Sequence, residues 1–281
     1  MSRQELWRRM KRSKFFVIGA ILVIFIVLTS IFAQSIAPFD PLKQALRSRL
    51  KAPTGDWNSY IFGGDAMGRD VFSRLLVGSQ ISLQISFSVV ILTAIIGTVL
   101  GIVAGYFGGW VDTVIMRISD IQVSIPPMVL AIAVMAVLGN SIINLILVLV
   151  FTRWVQYARV VRGNVMMIRN TDFIRASTVL GSGKIRIMFT QILPNVLTSL
   201  IIVMSQEFGR TIMTESALSF LGLGVPPPAP SWGVMIAEGR EYLSTAPWVV
   251  LVPAMALMLA VLAFNFLGDG VRDVLDPKNK N

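Results

Sequence analysis

The 281-residue sequence contains no cysteine and no histidine. The lack of cysteine excludes disulfides and thiolate chemistry, and the two absences together exclude the usual zinc sites and a Ser-His-Asp triad. Charged residues are scarce, at 14% of the chain, whereas 54% of the residues are hydrophobic. Soluble domains carry about 25% charged residues, so this composition indicates a polytopic membrane protein. Basic cytoplasmic loops explain the net charge of +10, which therefore does not require nucleic acid as a partner.

Six hydrophobic segments are long enough to cross a bilayer, which predicts an all-α polytopic membrane protein with six transmembrane helices. Pro126 and Pro127 are expected to kink the third span, because proline removes a backbone donor and interrupts a helix. Gly97, Gly101 and Gly105 recur at four-residue spacing in the second span, which predicts close packing of another helix. The predicted spans are residues 15–33, 79–104, 111–138, 142–155 with flanking residues, 195–214 and 247–267.

Residues 1–77 are predicted to form an N-terminal extension. It comprises a basic amphipathic segment at residues 1–14, the first transmembrane helix, and a periplasmic loop at residues 34–77 that is long enough to require local structure. The first apolar run has 19 residues, more than the apolar region of a signal peptide, about 7–15 residues, so this helix is expected to be retained. Residues 78–281 are predicted to form a core of five transmembrane helices with a cytoplasmic loop at residues 156–195.

Basic residues are concentrated between positions 153 and 194, where Asp172 is the single opposing acid. Cytoplasmic loops carry an excess of lysine and arginine, so this region is predicted to be cytoplasmic and both termini to lie inside. The basic residues of the region are Arg153, Arg159, Arg162, Arg169, Arg175, Lys184 and Arg186.

The polar segment at residues 173–194 is predicted to form a short helix, a glycine-containing turn and a second helix that Pro194 stops. It is either an ordinary cytoplasmic loop or a surface that another protein approaches closely. The sequence Gly181-Ser-Gly-Lys-Ile is not a phosphate loop, because Thr178 and Ile185 stand where that motif needs glycine and Ser or Thr. The candidate site residues are Arg175, Ala176, Ser177, Gly181, Ser182, Gly183, Lys184, Leu193 and Pro194.

Glu207 and Arg210 lie three residues apart within the predicted fifth span. Charged side chains in a span are costly, so they usually face the bundle interior or a water-filled path and pair with one another. Two interpretations remain open for this intramembrane charge pair, a structural ion pair and a part of the translocation path.

The segment at residues 173–194 resembles the cytoplasmic loop of ABC-importer permeases, whose pattern is Glu-Ala-Ala, three residues, Gly, nine residues, Ile-x-Leu-Pro. Ala176-Ser177, Gly181 and Leu193-Pro194 match this pattern, but Arg175 replaces its glutamate and Ile192 stands one place late. A glutamate salt bridge to an ATPase therefore cannot be transferred to this chain. Four further stretches are similar to permeases of dipeptide, oligopeptide and nickel importers, namely residues 33–41, 62–75, 215–233 and 266–278.

This resemblance implies a type I ABC-importer permease that is not itself an enzyme and binds no cofactor. Its expected partners are a homologous second permease subunit, two cytoplasmic ATPases that bind ATP and Mg, and an extracytoplasmic binding protein, all at the bacterial inner membrane. Residues 176–183 would be the coupling helix, with Arg175 and Lys184 facing ATPase carboxylates. The expected cargo is a di- or oligopeptide, and nickel, glutathione or another peptide-like solute remains open.

Two other classes of protein fit the sequence less well. An autonomous secondary transporter would be expected to have an inverted repeat or ion-coupling residues in its spans, and the sequence displays neither. An intramembrane enzyme would need a paired catalytic set, which Glu207 and Arg210 do not provide.

Overall fold

The computed structural model describes residues 3–275, which form α-helices joined by loops and contain no β-strand. Residues 1–2 and 276–281, including the end of the predicted core, lie outside the described residues. Short 3-10 helices occur at Leu46–Ser48 and Arg240–Tyr242, and a π-helix at Met188–Ile192. The α-helices are α1 (Arg3–Arg12), α2 (Lys14–Ile31), α3 (Ala33–Ile36), α4 (Val71–Phe107), α5 (Gly109–Val123), α6 (Pro127–Leu138), α7 (Ile142–Arg169), α8 (Asp172–Val179), α9 (Lys184–Ile187), α10 (Leu193–Phe220), α11 (Trp232–Gly239) and α12 (Trp248–Leu275).

Five helical segments are long and apolar enough to cross a membrane: α2, α4, α7, the continuous segment Lys184–Phe220, and α12. Helices α5 and α6 meet the same criterion only together, and they are bent by 87° where they join. The described chain thus has five spans, or six if the bent pair counts as one. The predicted all-α polytopic fold is confirmed.

The third predicted span is not a single kinked helix. It consists of two helices, α5 and α6, separated by a break. Helix α5 ends at Val123, and the N–H of Ser124 bonds back to the carbonyl of Asp120. Helix α6 then starts at Pro127, directly after Pro126 in an extended conformation. Two successive prolines lack two backbone donors, and each disfavours the helical conformation of the residue before it. The chain consequently changes direction sharply at this point.

Helices α4, α7, α10 and α12 all extend beyond the predicted spans. Helix α4 begins at Val71, eight residues before the predicted start, because Asp70 caps it by accepting a 2.8 Å hydrogen bond from the N–H of Ser73. Helix α7 continues to Arg169, well beyond residue 155, and three arginines on its surface form ion pairs with carboxylates on other helices. These ion pairs are Arg153–Glu207, Arg159–Asp120 and Arg162–Asp112.

The glycines of α4 allow α7 to pack at close range. A Cβ atom added at Gly101 would lie 2.7 Å from the carbonyl oxygen of Ala158, and one at Gly105 would lie 2.8 Å from Cβ of Val165. A Cβ atom added at Gly97 would lie even closer to Cβ of Tyr157. The most extensive helix–helix contact of the described residues is the one between α4 and α7. The glycine spacing therefore produces tight packing within one chain.

Helix α2 packs along α12, so the first and last spans of the described residues are neighbours. Gly19 of α2 lies directly against the backbone at Leu267, and Gly270 of α12 lies directly against Phe16, with no room for a Cβ atom at either glycine. The rings of Phe15 and Phe266 are 5.7 Å apart. The N-terminal span is therefore an integral part of the bundle.

The segment at residues 37–70 is fixed to the bundle by buried ion pairs. Asp65 accepts a 2.6 Å hydrogen bond from Arg69 Nε and also pairs with Arg74 of α4, whose side chain is 1% exposed. Glu238 of α11 lies 2.8 Å from Arg69 Nη2 and 3.0 Å from Arg74 Nη1. Burial raises the pKa of the neighbouring Asp70 above that of an ordinary aspartate, and hydrogen bonds from Ser73 oppose this shift. The local structure expected of this long loop is thus present.

Helix α10 continues to Phe220 instead of ending near residue 214, because no glycine or proline occurs between Glu215 and Phe220. The chain turns at Gly222, whose φ is 78°, and returns as α11, which packs against α10 and α12. The side chain of Glu215 is fully buried and accepts a 2.8 Å hydrogen bond from Ser219 Oγ.

Candidate functional site

The polar segment that follows α7 forms a helix and a tight turn. Helix α8 ends with hydrogen bonds from the N–H of Leu180 to Ala176 and from the N–H of Gly181 to Thr178. Gly181 has a φ of 82°, which L-residues rarely adopt, and a Cβ atom added there would meet nothing within 4 Å. Glycine at this position therefore serves the backbone of an open turn and does not make room for packing inside the chain.

The second half of the segment differs from the sequence prediction. Helix α9 runs into the π-helix Met188–Ile192 and then into α10, so residues 184–220 form one continuous helical segment. The prediction that Pro194 stops the second helix is wrong. The π-helix shifts the hydrogen-bond register just before Pro194, which places this proline in the first turn of α10, where a missing N–H is tolerated.

Apolar side chains are exposed at the tip of this segment. Val179 is 88% exposed, Leu180 85% and Ile185 69%, whereas Ile174 and Ile187 are buried beneath them in a cluster with α7 residues. Exposed apolar groups grouped at a polar turn mark an interaction surface. We call residues 172–187 the tip segment. Sequence reasoning missed its apolar side chains, although their position on both sides of the glycine turn was the available signal.

Cationic side chains lie next to Val179, one of these apolar groups. Arg175 and Lys184 line a cavity of about 510 Å³ together with Arg169 and Phe107, and Lys184 Nζ lies 5.8 Å from the centre of the Phe107 ring. Ser177 accepts a 2.9 Å hydrogen bond from Gln191, which ties α8 to the π-helix. Of the other predicted site residues, Ala176 lies in α8, Ser182 and Gly183 lie on the turn, and Leu193 and Pro194 lie on the continuous segment.

A second polar group lies between α7 and α10. Glu207 Oε1 is 2.9 Å from Arg210 Nη1, and Glu207 Oε2 is 2.8 Å from Arg153 Nη1. Arg153 also donates to the carbonyl of Arg210 and to the hydroxyl of Thr214. The side chain of Glu207 is 5% exposed, that of Arg153 15% and that of Arg210 68%. One carboxylate therefore bridges two guanidinium groups, and we call these three residues the charge cluster.

From sequence, Arg153 was assigned to the end of the fourth predicted span and to the start of the basic cytoplasmic region. It lies in the first half of α7 and pairs with Glu207, which is 54 residues further along the chain. The pairing offsets part of the cost of burying a guanidinium, so the helix can carry it within a span.

Within residues 3–275, no group of three or more His, Cys, Asp or Glu side chains could hold a metal ion.

The bundle of spans, with an exposed tip segment and a charge cluster between two spanning helices, defines a polytopic membrane protein. The chain belongs to the family of binding-protein-dependent transport system inner membrane components, whose model matches residues 97–281. Residues 3–53 match the N-terminal transmembrane domain of oligopeptide transport permease C. The resemblance to peptide-type permeases is thus confirmed. In such ABC importers the permease is a membrane component, and ATP hydrolysis is carried out by its ATPase partner.

Curated relatives match nearly the whole chain. The glutathione transport system permease protein GsiD of Escherichia coli and that of Shigella boydii are each 43% identical over 276 residues, covering 98% of this chain and 90% of the relative. The corresponding protein of Shigella dysenteriae is 42% identical over the same span. A solved structure of the MetNI methionine ABC transporter in an inward-facing conformation has a TM-score of 0.57 at 21% identity. It covers 71% of this chain and 95% of the compared chain, and it supports the fold alone.

Proposed function

We propose that this permease forms one half of the translocation path for peptide-like solutes, including glutathione, in a bacterial inner membrane. Its partners would be a homologous second permease subunit, two cytoplasmic ATPases and an extracytoplasmic binding protein. The cargo class is supported by the match of residues 3–53 to an oligopeptide permease domain and by the glutathione permeases that resemble the whole chain. Nickel is the second candidate cargo, which rests only on the sequence motifs that nickel importers share.

The tip segment is the proposed docking element for an ATPase. The observation that carries this proposal is that exposed Val179, Leu180 and Ile185 share the tip segment with the cations Arg175 and Lys184, which line one cavity with Val179. Apolar groups supply contact area in such an interface, and the rim of positive charge selects a partner with carboxylates. Arginine at position 175 therefore suits a partner surface that is acidic at this point.

The continuous helical segment offers a mechanical link from the tip to the membrane interior. It has 37 residues, which corresponds to about 55 Å at ~1.5 Å per residue. The tip lies at one end of this segment, and the charge cluster lies two-thirds of the way along it. Displacement of the tip by ATPase closure would therefore move Glu207 and Arg210 relative to α7, and this movement would contribute to alternating access.

Substitution of Gly181 by aspartate tests the docking role. Gly181→Asp places an acid among the docking cations, so it should abolish co-purification of the ATPases and cargo uptake while the permease still inserts. Gly139→Asp is the matched control, because Gly139 also has a positive φ of 77° and open space around it but lies at the α6–α7 turn. Both variants place an aspartate at a positive φ, and the abundance of each variant in the membrane is measured alongside. Normal ATPase binding and uptake by Gly181→Asp would refute the docking assignment.

A further inference from the structure

The side chain of Arg210 is 68% exposed although it lies in a segment that is long and apolar enough to span a membrane. A guanidinium group in contact with lipid hydrocarbon is costly, so an exposed one faces a water-filled path or another protein. Its neighbour Arg153 lies about 17 Å along α7 from the start of that helix, which is well within a hydrocarbon layer of ~30 Å. The charge cluster therefore lies well within two segments that are long and apolar enough to span a membrane, with one cation open to its surroundings.

The charge cluster has an excess of positive charge. Two guanidinium groups share the single carboxylate of Glu207, which leaves a net charge of +1 at the cluster. Among the described residues, Glu207 is the one hydrogen-bond partner of the Arg210 guanidinium, through Nη1. Arginine has five N–H donors in a planar fork that matches a carboxylate in two-point contact. Most donors of Arg210 are therefore available to an external anion.

The surroundings of the cluster suit a path and not a closed core. Gln122, at the end of α5, donates to the carbonyl of Phe151 at 2.7 Å and accepts from Trp154 Nε1 at 2.7 Å. The break between α5 and α6 thus lies at the level of Arg153 on α7. Irregular backbone at membrane depth is tolerated where it is buried in protein or lines a water-filled cavity, and Pro126 at the break is exposed. The break between α5 and α6 and the exposed Arg210 side chain therefore lie at the same level of the helix bundle.

We propose that Arg210 binds a carboxylate of the cargo as it crosses the membrane, with Glu207 and Arg153 holding the guanidinium in place. This inference rests on the proposed function, because a peptide or glutathione carries a carboxylate at its C-terminal end. Glu207 fixes one side of Arg210, and Arg153 bonds to the Arg210 carbonyl and to Glu207. The chemical class recognised is the carboxylate, which can come from the C-terminus or from an acidic side chain.

Uptake by the complete transporter in proteoliposomes tests this inference. The probes are Ala-Ala-Ala, its C-terminal amide, and the amide of Ala-Glu-Ala, each supplied on pre-loaded binding protein. Because the same binding protein serves every permease variant, its own preference cancels when the acid-to-amide uptake ratio is compared between variants. Arg210→Gln removes the cation, Arg210→Lys keeps it, and Met213→Gln is the matched control on the same exposed face, since Met213 is 63% exposed.

The acid-to-amide uptake ratio should fall by about tenfold in Arg210→Gln, should be largely kept in Arg210→Lys, and should not change in Met213→Gln. If the Ala-Glu-Ala amide behaves like the free acid, a side-chain carboxylate is accepted as well. An unchanged ratio in Arg210→Gln would overturn the inference. Equal loss of all probes together with loss of the partner permease on co-purification would instead assign Arg210 to a salt bridge between subunits. An assembled wild-type complex that imports no peptide would overturn the proposed cargo itself.

Discussion

Replacement of Glu207 by leucine is expected to destabilise the protein because it strands Arg153. The Arg153 side chain is 15% exposed, and Glu207 is its one carboxylate partner in the described part of the chain. Removal of one member of a buried ion pair leaves an uncompensated charge and costs about 3–5 kcal/mol. The contact of Glu207 with Arg210 adds little to this cost, because Arg210 is largely exposed and exposed pairs contribute about 0–1 kcal/mol.

The burial difference between the two arginines makes the prediction specific. In the double variant Glu207→Leu, Arg153→Leu no buried charge remains, so most of the lost stability should return. In Glu207→Leu, Arg210→Leu the buried guanidinium of Arg153 remains unpaired, so little should return. From the sequence alone, the i, i+3 spacing of Glu207 and Arg210 predicts that removal of Arg210 would restore stability. The two double variants are therefore a direct test of the structure.

Thermal unfolding of the detergent-solubilised complex measures the effect. If about 1 kcal/mol shifts Tm by ~2–4 °C for a chain of this size, the single variant Glu207→Leu should lose about 6–20 °C. In the two double variants, Tm is determined from the fraction of protein that stays monodisperse after heating, and its recovery is compared between them. Equal or greater recovery in the variant that lacks Arg210 would refute the assignment of Arg153 as the buried partner.

Two further predictions concern packing and orientation. Gly101→Ala places a Cβ atom 2.7 Å from the carbonyl of Ala158 and should lower stability by about 1–3 kcal/mol, whereas Gly163→Ala on α7, which has open space, should be neutral or stabilising in the same thermal assay. Single cysteines at Arg175 and Asp56, in a chain that has no cysteine, should react with an impermeant thiol reagent from opposite sides of the membrane; labelling from the same side would contradict the proposed orientation.

The spans were predictable because hydropathy over about 20 residues is a local signal and the membrane enforces it. The turn at Gly181 was predictable for a similar reason, since glycine and small residues mark a turn wherever they occur. The bend at Pro126 and Pro127 was only half predictable, because proline sets the position of a break but the neighbouring helices set its angle. Similarly, a π-helix before Pro194 keeps the helix continuous although proline lacks an N–H donor. No short sequence pattern indicated this π-helix.

The charge cluster shows the limit of local reasoning most clearly. Glu207 and Arg210 are close in sequence, so their pairing could be proposed without a structure. Arg153 is 54 positions before Glu207, and an arginine near the end of a predicted span is most simply assigned to a loop. Only the packing of α7 against α10 brings the two side chains together.

The contact between α2 and α12 has a consequence for how the protein is made. Helix α2 is synthesised before α12, but Gly19 of α2 packs against the backbone of α12. At ~5–20 residues per second, about 12–50 s of synthesis separate the two helices. During that interval, the face of α2 that α12 later covers is in contact with lipid or with a membrane chaperone. The contact between α2 and α12 can therefore form only after α12 has been inserted.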